Sequence, residues 1–269
     1  MKKIILHFLL LAAIFSGVFY GLSRIDFTGA AEIEKLSAES ARKLGNLMLK
    51  AMLTGKEEIT DGNAPAVLDS IKKKLCIAAG LDADSIKLHL VDDSDVNAFA
   101  LPGNHMVVFT GLVDFSKNPE EVAGVLGHEL GHLKLGHLEK KLVKEIGLTM
   151  LFTIASGQGG GEIIREMVKM LSSTAFDREY ETEADAFAVE TMSKAGADAE
   201  QLGNFMFRVS QDQNMPEELV FLSTHPDSKK RSAEIIRRAR KEKVDRKPLI
   251  QSNWEDIRKE LGGKSRTEE

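Results

Sequence analysis

The feature that most constrains this chain is a pair of histidines four residues apart in an apolar helical pattern. His128 and His132 share a helix face, because side chains at i and i+4 lie one turn apart. Two imidazoles on one face can bind one metal ion, at the ~2.0–2.1 Å typical of zinc–nitrogen bonds. Glu129 follows the first histidine and points to another side of the helix, where it can accept a proton from a water beside the metal. The pattern therefore predicts a metal site with an adjacent general base.

Two glycines in the same helix favour a functional site over a chance pair of surface histidines. Gly127 and Gly131 occupy helix-interior positions, where glycine costs about 0.8–1.0 kcal/mol relative to alanine. We expect close approach of another backbone to explain both. His137 does not extend the motif, because the metzincin pattern HExxHxxGxxH requires glycine at Leu135 and histidine at Leu138. We interpret His137 as a cation at the end of the helix.

A zinc hydrolase site needs a third protein ligand, and the acidic run at 177–185 offers candidates. Glu181 and Asp185 lie four residues apart on one helix face. In that arrangement Glu181 binds the metal and Asp185 orients a ligand imidazole. Glu179 and Glu183 fit a solvated acidic stripe. Spacing alone does not decide between Glu181 and Glu179 as the ligand.

The composition limits which side chains can bind a metal ion and which classes of partner the protein can bind. Cys76 is the single cysteine, so cysteine-based zinc frameworks and internal disulfides are excluded. A net charge of −5 and an aromatic content of 6% argue against nucleic-acid binding. The glycine run at 157–161 lacks the lysine of a phosphate-binding loop and follows a predicted helix, so no nucleotide is expected. Any metal is therefore expected on histidine and carboxylate side chains.

The N-terminus has the pattern of an export or anchoring segment. Lys2 and Lys3 precede an apolar run over residues 4–22, which is typical of a signal peptide or an uncleaved membrane anchor. The run is close to the about 20 residues that span a bilayer, so both alternatives stay open. Because the lysines precede the run, the following chain is expected outside the cytoplasm. We predict an exported, periplasmic protein that is anchored to the inner membrane or released.

The hydrophobic pattern predicts an α+β fold with a small early sheet and a helical bulk. Residues 86–91 alternate apolar and polar side chains as a half-buried strand does. Residues 97–101 and 106–110 flank a turn and predict a hairpin. Helices are predicted over residues 30–54, 65–80, 120–140, 142–156, 162–174, 176–195 and 199–213, with a last short helix that begins near residue 253.

Three elements, in this order along the chain, resemble the gluzincin family that includes HtpX, the BepA and Oma-type quality-control proteases and the CAAX prenyl proteases. They are His128-Glu129-Leu130-Gly131-His132, the ExxxD pattern of Glu181 and Asp185, and Thr224-His225-Pro226 followed by Arg231. The segment at 97–103 is also similar to the edge strand that precedes the zinc helix in that family. The ordered combination is far more specific than any one element.

The resemblance implies a mostly helical, zincin-type metallopeptidase domain with one zinc ion per chain. The implied zinc ligands are His128, His132 and Glu181, with Glu129 as the catalytic base and Asp185 as the residue that orients a ligand. It further implies that His225 faces the site, where it stabilises the reaction intermediate or gates the metal. Arg231 is then expected to support that histidine.

The same resemblance implies a polypeptide substrate. An exposed edge strand at Asn97, Ala98 and Phe99 can pair with an extended segment, which favours unfolded or misassembled proteins over folded ones. We expect a minimal catalytic domain at 30–263, preceded by a signal peptide or anchor at 1–23 and followed by a tail at 264–269. The alternative function is a non-catalytic pseudo-protease or holdase that binds extended polypeptide. The intact Glu129 argues against that alternative.

Overall fold

The computed structural model describes residues 38–158, 160–211, 221–242 and 244–262. The predicted signal peptide or anchor at 1–23 and the predicted tail at 264–269 lie outside these residues. Across the described ranges, no helix combines the length and the apolar character needed to cross a membrane.

The strands come early in the described chain, between two helices and a long helical part. The first helices are α1 (Ala38–Met52) and α2 (Asn63–Ala78), and the strands are β1 (Lys87–Val91), β2 (Ala98–Leu101) and β3 (His105–Phe109). The later helices are α3 (Thr110–Phe115), α4 (Pro119–Lys134), α5 (His137–Ile146), α6 (Leu148–Ala155), α7 (Gly161–Ser173), α8 (Arg178–Lys194), α9 (Glu200–Val209), α10 (Phe221–Thr224), α11 (Ser228–Ala239) and α12 (Trp254–Gly262). The predicted α+β class, mostly helical with a small early sheet, is confirmed.

The three strands form one sheet with β3 in the centre, in the order β1-β3-β2. β2 and β3 are antiparallel, with Ala98 opposite Val108 and Leu101 opposite His105, which confirms the predicted hairpin. β1 runs parallel to β3. Among the described strands, β2 therefore has a neighbour on one side only.

The sheet separates two apolar cores, because successive side chains of a strand point to opposite faces. Met106 and Val108 of β3 face the larger core, to which α2, α4, α8, α9, α11 and α12 contribute. Val107 and Phe109 face the smaller core, which is built with α1, α5, α6 and α7. The helix that carries the histidine pair thus belongs to one core, and the helices that follow it belong to the other.

The start of α4 follows from its sequence. The side-chain oxygen of Asn118 accepts a hydrogen bond from the Glu121 amide at 2.9 Å, which caps the helix. Pro119 fills the first helical position, where its missing amide hydrogen costs nothing. These signals place the beginning of the histidine helix where the sequence predicts it.

Left-handed glycines divide the two helices predicted over 120–140 and 142–156. Gly136 has a φ of 65° and Gly147 a φ of 83°, a conformation that glycine adopts without the steric cost of a side chain. The chain therefore turns after α4 and again after α5. The two predicted helices are wrong in their boundaries, and the structure has three helices, α4, α5 and α6, in their place.

The glycines beside the histidine pair have unequal surroundings. A Cβ atom at Gly131 would lie 3.0 Å from the Cα and 3.2 Å from the carbonyl oxygen of Ala184 on α8. A Cβ atom at Gly127 would lie 3.5 Å from the Cα of Ala188, an ordinary van der Waals contact. The predicted close backbone approach is confirmed at Gly131 and is much weaker at Gly127.

Candidate metal centre

His128 and His132 lie side by side where α4 packs against α8. Both side chains are fully buried, and their Nε2 atoms are 3.0 Å apart. Glu181, in the first turn of α8, is also buried, with one carboxylate oxygen 3.3 Å from Nε2 of His132 and the other 3.6 Å from Nε2 of His128. Glu179 is exposed to solvent. Of the two carboxylates that spacing left open, the structure brings Glu181 to the histidines.

His225 follows α10 and reaches the same point. Its Nδ1 atom lies 2.9 Å from Oε1 of Glu181 and 3.1 Å from Nε2 of His128. Its ring stacks on Phe221 with 4.1 Å between the ring centroids. One donor atom from each of His128, His132, Glu181 and His225 lies within 4.8 Å of the others. Four buried donors therefore converge in a space that one metal ion can fill.

The carboxylate of Glu129 lies beside this donor set. Its Oε2 accepts a hydrogen bond from the Ala100 amide of β2 at 2.9 Å. Its Oε1 has no hydrogen-bond partner among the described residues and lies 3.4 Å from Nε2 of His225. Burial raises the pKa of the Glu129 carboxyl to about 7. A carboxyl group with one unpartnered oxygen and a pKa near neutrality is suited to accept and return a proton.

Asp185 and Arg231 lie behind the donors. Oδ1 of Asp185 is 3.0 Å from Nδ1 of His128. Arg231 on α11 donates two hydrogen bonds to Asp185, at 2.6 and 2.8 Å, and another to Glu181. Although burial by itself raises the pKa of Asp185, hydrogen bonds from Arg231 and His128 hold it below the usual value. Arg231 was expected to support His225, but the contacts above go to the two carboxylates.

His137 is not the helix-end cation that the sequence suggested, and that interpretation is wrong. Its side chain is fully buried, because the turn at Gly136 directs α5 back toward α4. Its Nδ1 lies 3.2 Å from Nδ1 of His132, and its Nε2 lies 2.9 Å from Oε2 of Glu183. The predicted solvated role of Glu183 is therefore incomplete, since this half-exposed side chain also contacts a buried histidine.

The edge of β2 is covered, which corrects the expectation of an exposed strand. Asn97, Ala98 and Phe99 are all buried. Phe99 packs into the smaller core, and the amide of Ala98 bonds to the Asn97 side chain. A small cavity of about 10 Å³ remains beside Glu129. It is lined by Phe99, Ala100, Glu129, Leu138, Leu171, Phe176, Thr224 and His225.

Comparison with known proteins decides the class of this site. The sequence model of peptidase family M48 matches residues 64–239, which is more than half of the chain. The chain belongs to peptidase family M48. The predicted resemblance is confirmed, and the matched region is a zinc metallopeptidase domain.

Three curated M48 relatives show how far the similarity extends. The chain is 30% identical over 168 residues to the mitochondrial metalloendopeptidase OMA1 of Schizosaccharomyces pombe, with 61% of this chain and 50% of the relative covered. It is 24% identical over 212 residues to the β-barrel assembly-enhancing protease of Yersinia pestis, with coverages of 72% and 43%. It is 28% identical over 222 residues to the metalloprotease YcaL of Escherichia coli, with coverages of 77% and 86%. The chain thus spans half or less of the first two relatives and most of the third.

Proposed function

We propose that this chain is a zinc endopeptidase that cleaves extended segments of unfolded or misassembled polypeptides in the cell envelope. The observation that carries this proposal is the convergence of His128, His132 and Glu181 on one point beside Glu129. Membership of family M48 supports the reaction class.

The donor set fits zinc. A proton on Nδ1 of His128, which the nearby Asp185 carboxylate favours, leaves a lone pair on Nε2. That lone pair is directed at Nε2 of His132, 3.0 Å away. Burial holds the pKa of His132 well below its usual value, so that this ring is neutral as well. Two imidazole nitrogens and a carboxylate oxygen are the ligand types of hydrolytic zinc sites. A cation between them would replace the repulsion of these lone pairs by attraction.

The surrounding residues have separate tasks in peptide hydrolysis. When bound, zinc polarises the scissile carbonyl and makes a neighbouring water more acidic. Oε1 of Glu129, the oxygen without a partner, accepts the proton of the attacking water and then delivers it to the leaving nitrogen. The Ala100 amide holds Oε2 and so fixes the direction of the carboxylate. Asp185, itself held by Arg231, orients His128.

His225 acts as a gate in this proposal. Catalytic zinc sites keep one position open for water or substrate, whereas His225 supplies a fourth donor. The side chain therefore has to turn away from Glu181 before substrate binds. This role is one of the two that the resemblance left open, and the contact of His225 with Glu181 at 2.9 Å supports it.

The substrate requirement follows from β2 and the cavity. β2 is buried, and its Ala98 and Ala100 amides already bond to Asn97 and Glu129. An extended segment can therefore pair with β2 only if the cover over this strand moves aside. The small cavity beside Glu129 has apolar walls at Phe99, Leu138 and Leu171. These walls have to move apart when substrate enters, and they would then contact an apolar side chain next to the cleaved bond. Unfolded proteins offer extended apolar segments, whereas folded proteins bury them.

Location in the envelope rests on the sequence of residues 1–23 alone. If the prediction is right, protease added to intact spheroplasts should digest the domain. Protection of the domain in intact spheroplasts, with digestion after lysis, would place it in the cytoplasm and contradict the proposal.

The direct test of the activity is Glu129→Gln. This change keeps the shape of the side chain and removes the base, so cleavage of unfolded casein should fall by about 10²–10⁴-fold while zinc stays bound. Glu179→Gln is the matched control, because Glu179 is exposed on α8 and loses the same charge. Cleavage at the wild-type rate by Glu129→Gln would refute the assignment of the base. Zinc-loaded wild-type protein that binds casein without cleaving it would instead support the holdase alternative.

A further inference from the structure

We propose that His137 and Glu183 are positioning residues that hold His132 in the tautomer and orientation required to bind zinc. This inference rests on the proposed metal site and adds a chain of three side chains, Glu183, His137 and His132. These three side chains lie on the side of the donor set that faces α5. No sequence motif marks His137 or Glu183 for this role.

The contacts run in one line from solvent to the donor set. Oε2 of Glu183 lies 2.9 Å from Nε2 of His137, and Nδ1 of His137 lies 3.2 Å from Nδ1 of His132. The other ring nitrogen of His132, Nε2, faces Glu181 at 3.3 Å and His128 at 3.0 Å. Each ring nitrogen of His132 and His137 therefore has at least one polar neighbour.

This line fixes where each proton lies. A carboxylate only accepts hydrogen bonds, so Nε2 of His137 carries a proton and donates a hydrogen bond to Glu183. The ring of His137 is fully buried, and its Nδ1 faces another imidazole rather than a carboxylate, so this Nδ1 is assigned as an acceptor. Nδ1 of His132 must then donate, which leaves the lone pair on Nε2 of His132, the nitrogen that faces the other donors. Without His137, the Glu181 carboxylate, 3.3 Å from Nε2 of His132, would favour a proton on that nitrogen instead.

Packing holds the line of Glu183, His137 and His132 in place. The ring of His137 is fully buried and stacks on Tyr180 of α8, with 4.4 Å between centroids and 12° between the planes. Tyr180 and Glu183 are three residues apart and lie on neighbouring turns of α8, so one helix face supplies both the stack and the carboxylate. On its other side, the ring of His132 packs against Phe176 at 4.1 Å.

The two proposed ligand histidines reach a carboxylate by different routes. Nδ1 of His128 faces Asp185 directly at 3.0 Å, the common arrangement for a metal-binding histidine. Nδ1 of His132 reaches Glu183 only through the ring of His137. The imidazole of His137 lies between a buried ligand and the half-exposed Glu183 carboxylate. The charge of Glu183 is therefore kept away from the donor set.

The test measures zinc affinity by competition with a chromophoric chelator. His137→Phe retains volume and the stack on Tyr180 but removes the acceptor, and it should weaken zinc binding by about 10–100-fold. In His137→Asn the side-chain oxygen takes the place of Nδ1, so most of the affinity should return. Glu183→Gln should give a smaller loss of about 10-fold, at the low end of the effect of such partners. Glu179→Gln on the same helix should match the wild type.

A second readout separates positioning from folding. In zinc-loaded wild-type protein, ¹⁵N-resolved imidazole spectra should show a proton on Nδ1 of His132, and this signal should be lost or exchange-broadened in His137→Phe. The metal-free forms of wild type and Glu183→Gln should unfold at the same temperature. Equal zinc affinity of wild type, His137→Phe and Glu183→Gln would overturn the inference. If wild-type zinc binding is itself unaffected by Glu181→Ala, the proposed site fails, which is a distinguishable result.

Discussion

The described residues include six of the seven histidines, and these lie in two clusters, one buried and one partly exposed, with different geometry. In the first, the donor atoms of His128, His132 and His225 converge with Glu181 within 4.8 Å. In the second, the side chains form a line across the sheet. Nδ1 of His89 lies 2.6 Å from Glu58, and Nε2 of His89 lies 2.9 Å from Nδ1 of His105.

The comparison shows that burial and proximity of histidines are not sufficient for a metal site. In the sheet cluster each nitrogen of His89 already has a neighbour, and the rings of His89 and His105 stack with 5.2 Å between centroids. The hydrogen-bond line satisfies His89 without a cation. In the α4–α8 cluster, the proposed lone pairs and a carboxylate face one another, and a cation would satisfy them. The direction of the nitrogens separates the two clusters.

The largest expected effect comes from removing a converging donor. Glu181→Ala should weaken zinc binding by more than about 100-fold, beyond the range seen for residues that only orient a ligand. His89→Ala, a change in the linear cluster, should leave zinc binding at the wild-type value. Zinc per chain after dialysis against a defined chelator concentration measures both.

Glu179→Ala is the control for the carboxylate, since Glu179 is exposed two residues away. Loss of zinc in Glu179→Ala with full occupancy in Glu181→Ala would reverse the ligand assignment. Loss of zinc in His89→Ala at unchanged stability would erase the distinction between the clusters.

The linear cluster should instead control stability in acid. Burial, together with the neighbouring charges of His89 and Lys87, lowers the pKa of His105 to about 4 from 6.5, and only Glu58 opposes this. The unfolded chain therefore binds a proton that the folded chain does not between these pH values. The resulting stability is present above pH 6.5 and is lost as the pH falls toward 4, by about 3 kcal/mol in total.

Urea unfolding of wild type and His105→Leu at several pH values from 7.5 to 4 isolates this effect as a difference. As the pH falls, the free energy of unfolding of the wild type should decrease relative to that of His105→Leu. A difference that is independent of pH would show that His105 is not buried in the neutral form.

The smallest expected effect concerns the helix that carries the convergent cluster. Gly131→Ala places a methyl group 3.0 Å from the Ala184 backbone, so α4 and α8 must shift and the protein should lose about 1–3 kcal/mol of stability. Gly127→Ala meets only ordinary contacts and gains about 0.8–1.0 kcal/mol of helix propensity. Thermal unfolding of the two zinc-loaded variants compares them, and an equal change in both would remove the argument for close approach at Gly131.

The convergent cluster was largely predictable because its signals are local. Helical periodicity places His128 and His132 on one face, and the i,i+4 spacing of Glu181 and Asp185 places two carboxylates on another helix. The choice of Glu181 over Glu179 depended on how α4 and α8 cross, which no local pattern contains.

The role of His137 was missed because it depends on a turn. Gly136 was available as a helix terminator in the sequence, and ending α4 there would have placed His137 in the next helix rather than at the exposed end of the same one. The pairing of His89 with His105 depends on the parallel alignment of β1 and β3, which is set by long-range packing. Covering of β2 likewise depends on how α4 and α1 pack against it, which is again a long-range contact.

Anomalous diffraction from zinc-loaded crystals tests the central claim most directly. Data collected on both sides of the zinc absorption edge locate the metal without reference to any assumed ligand. The account predicts one peak per chain, between Nε2 of His128, Nε2 of His132 and the carboxylate of Glu181, with no peak between His89 and His105. A peak at the sheet pair, or zinc-loaded crystals without density beside Glu129, would contradict it.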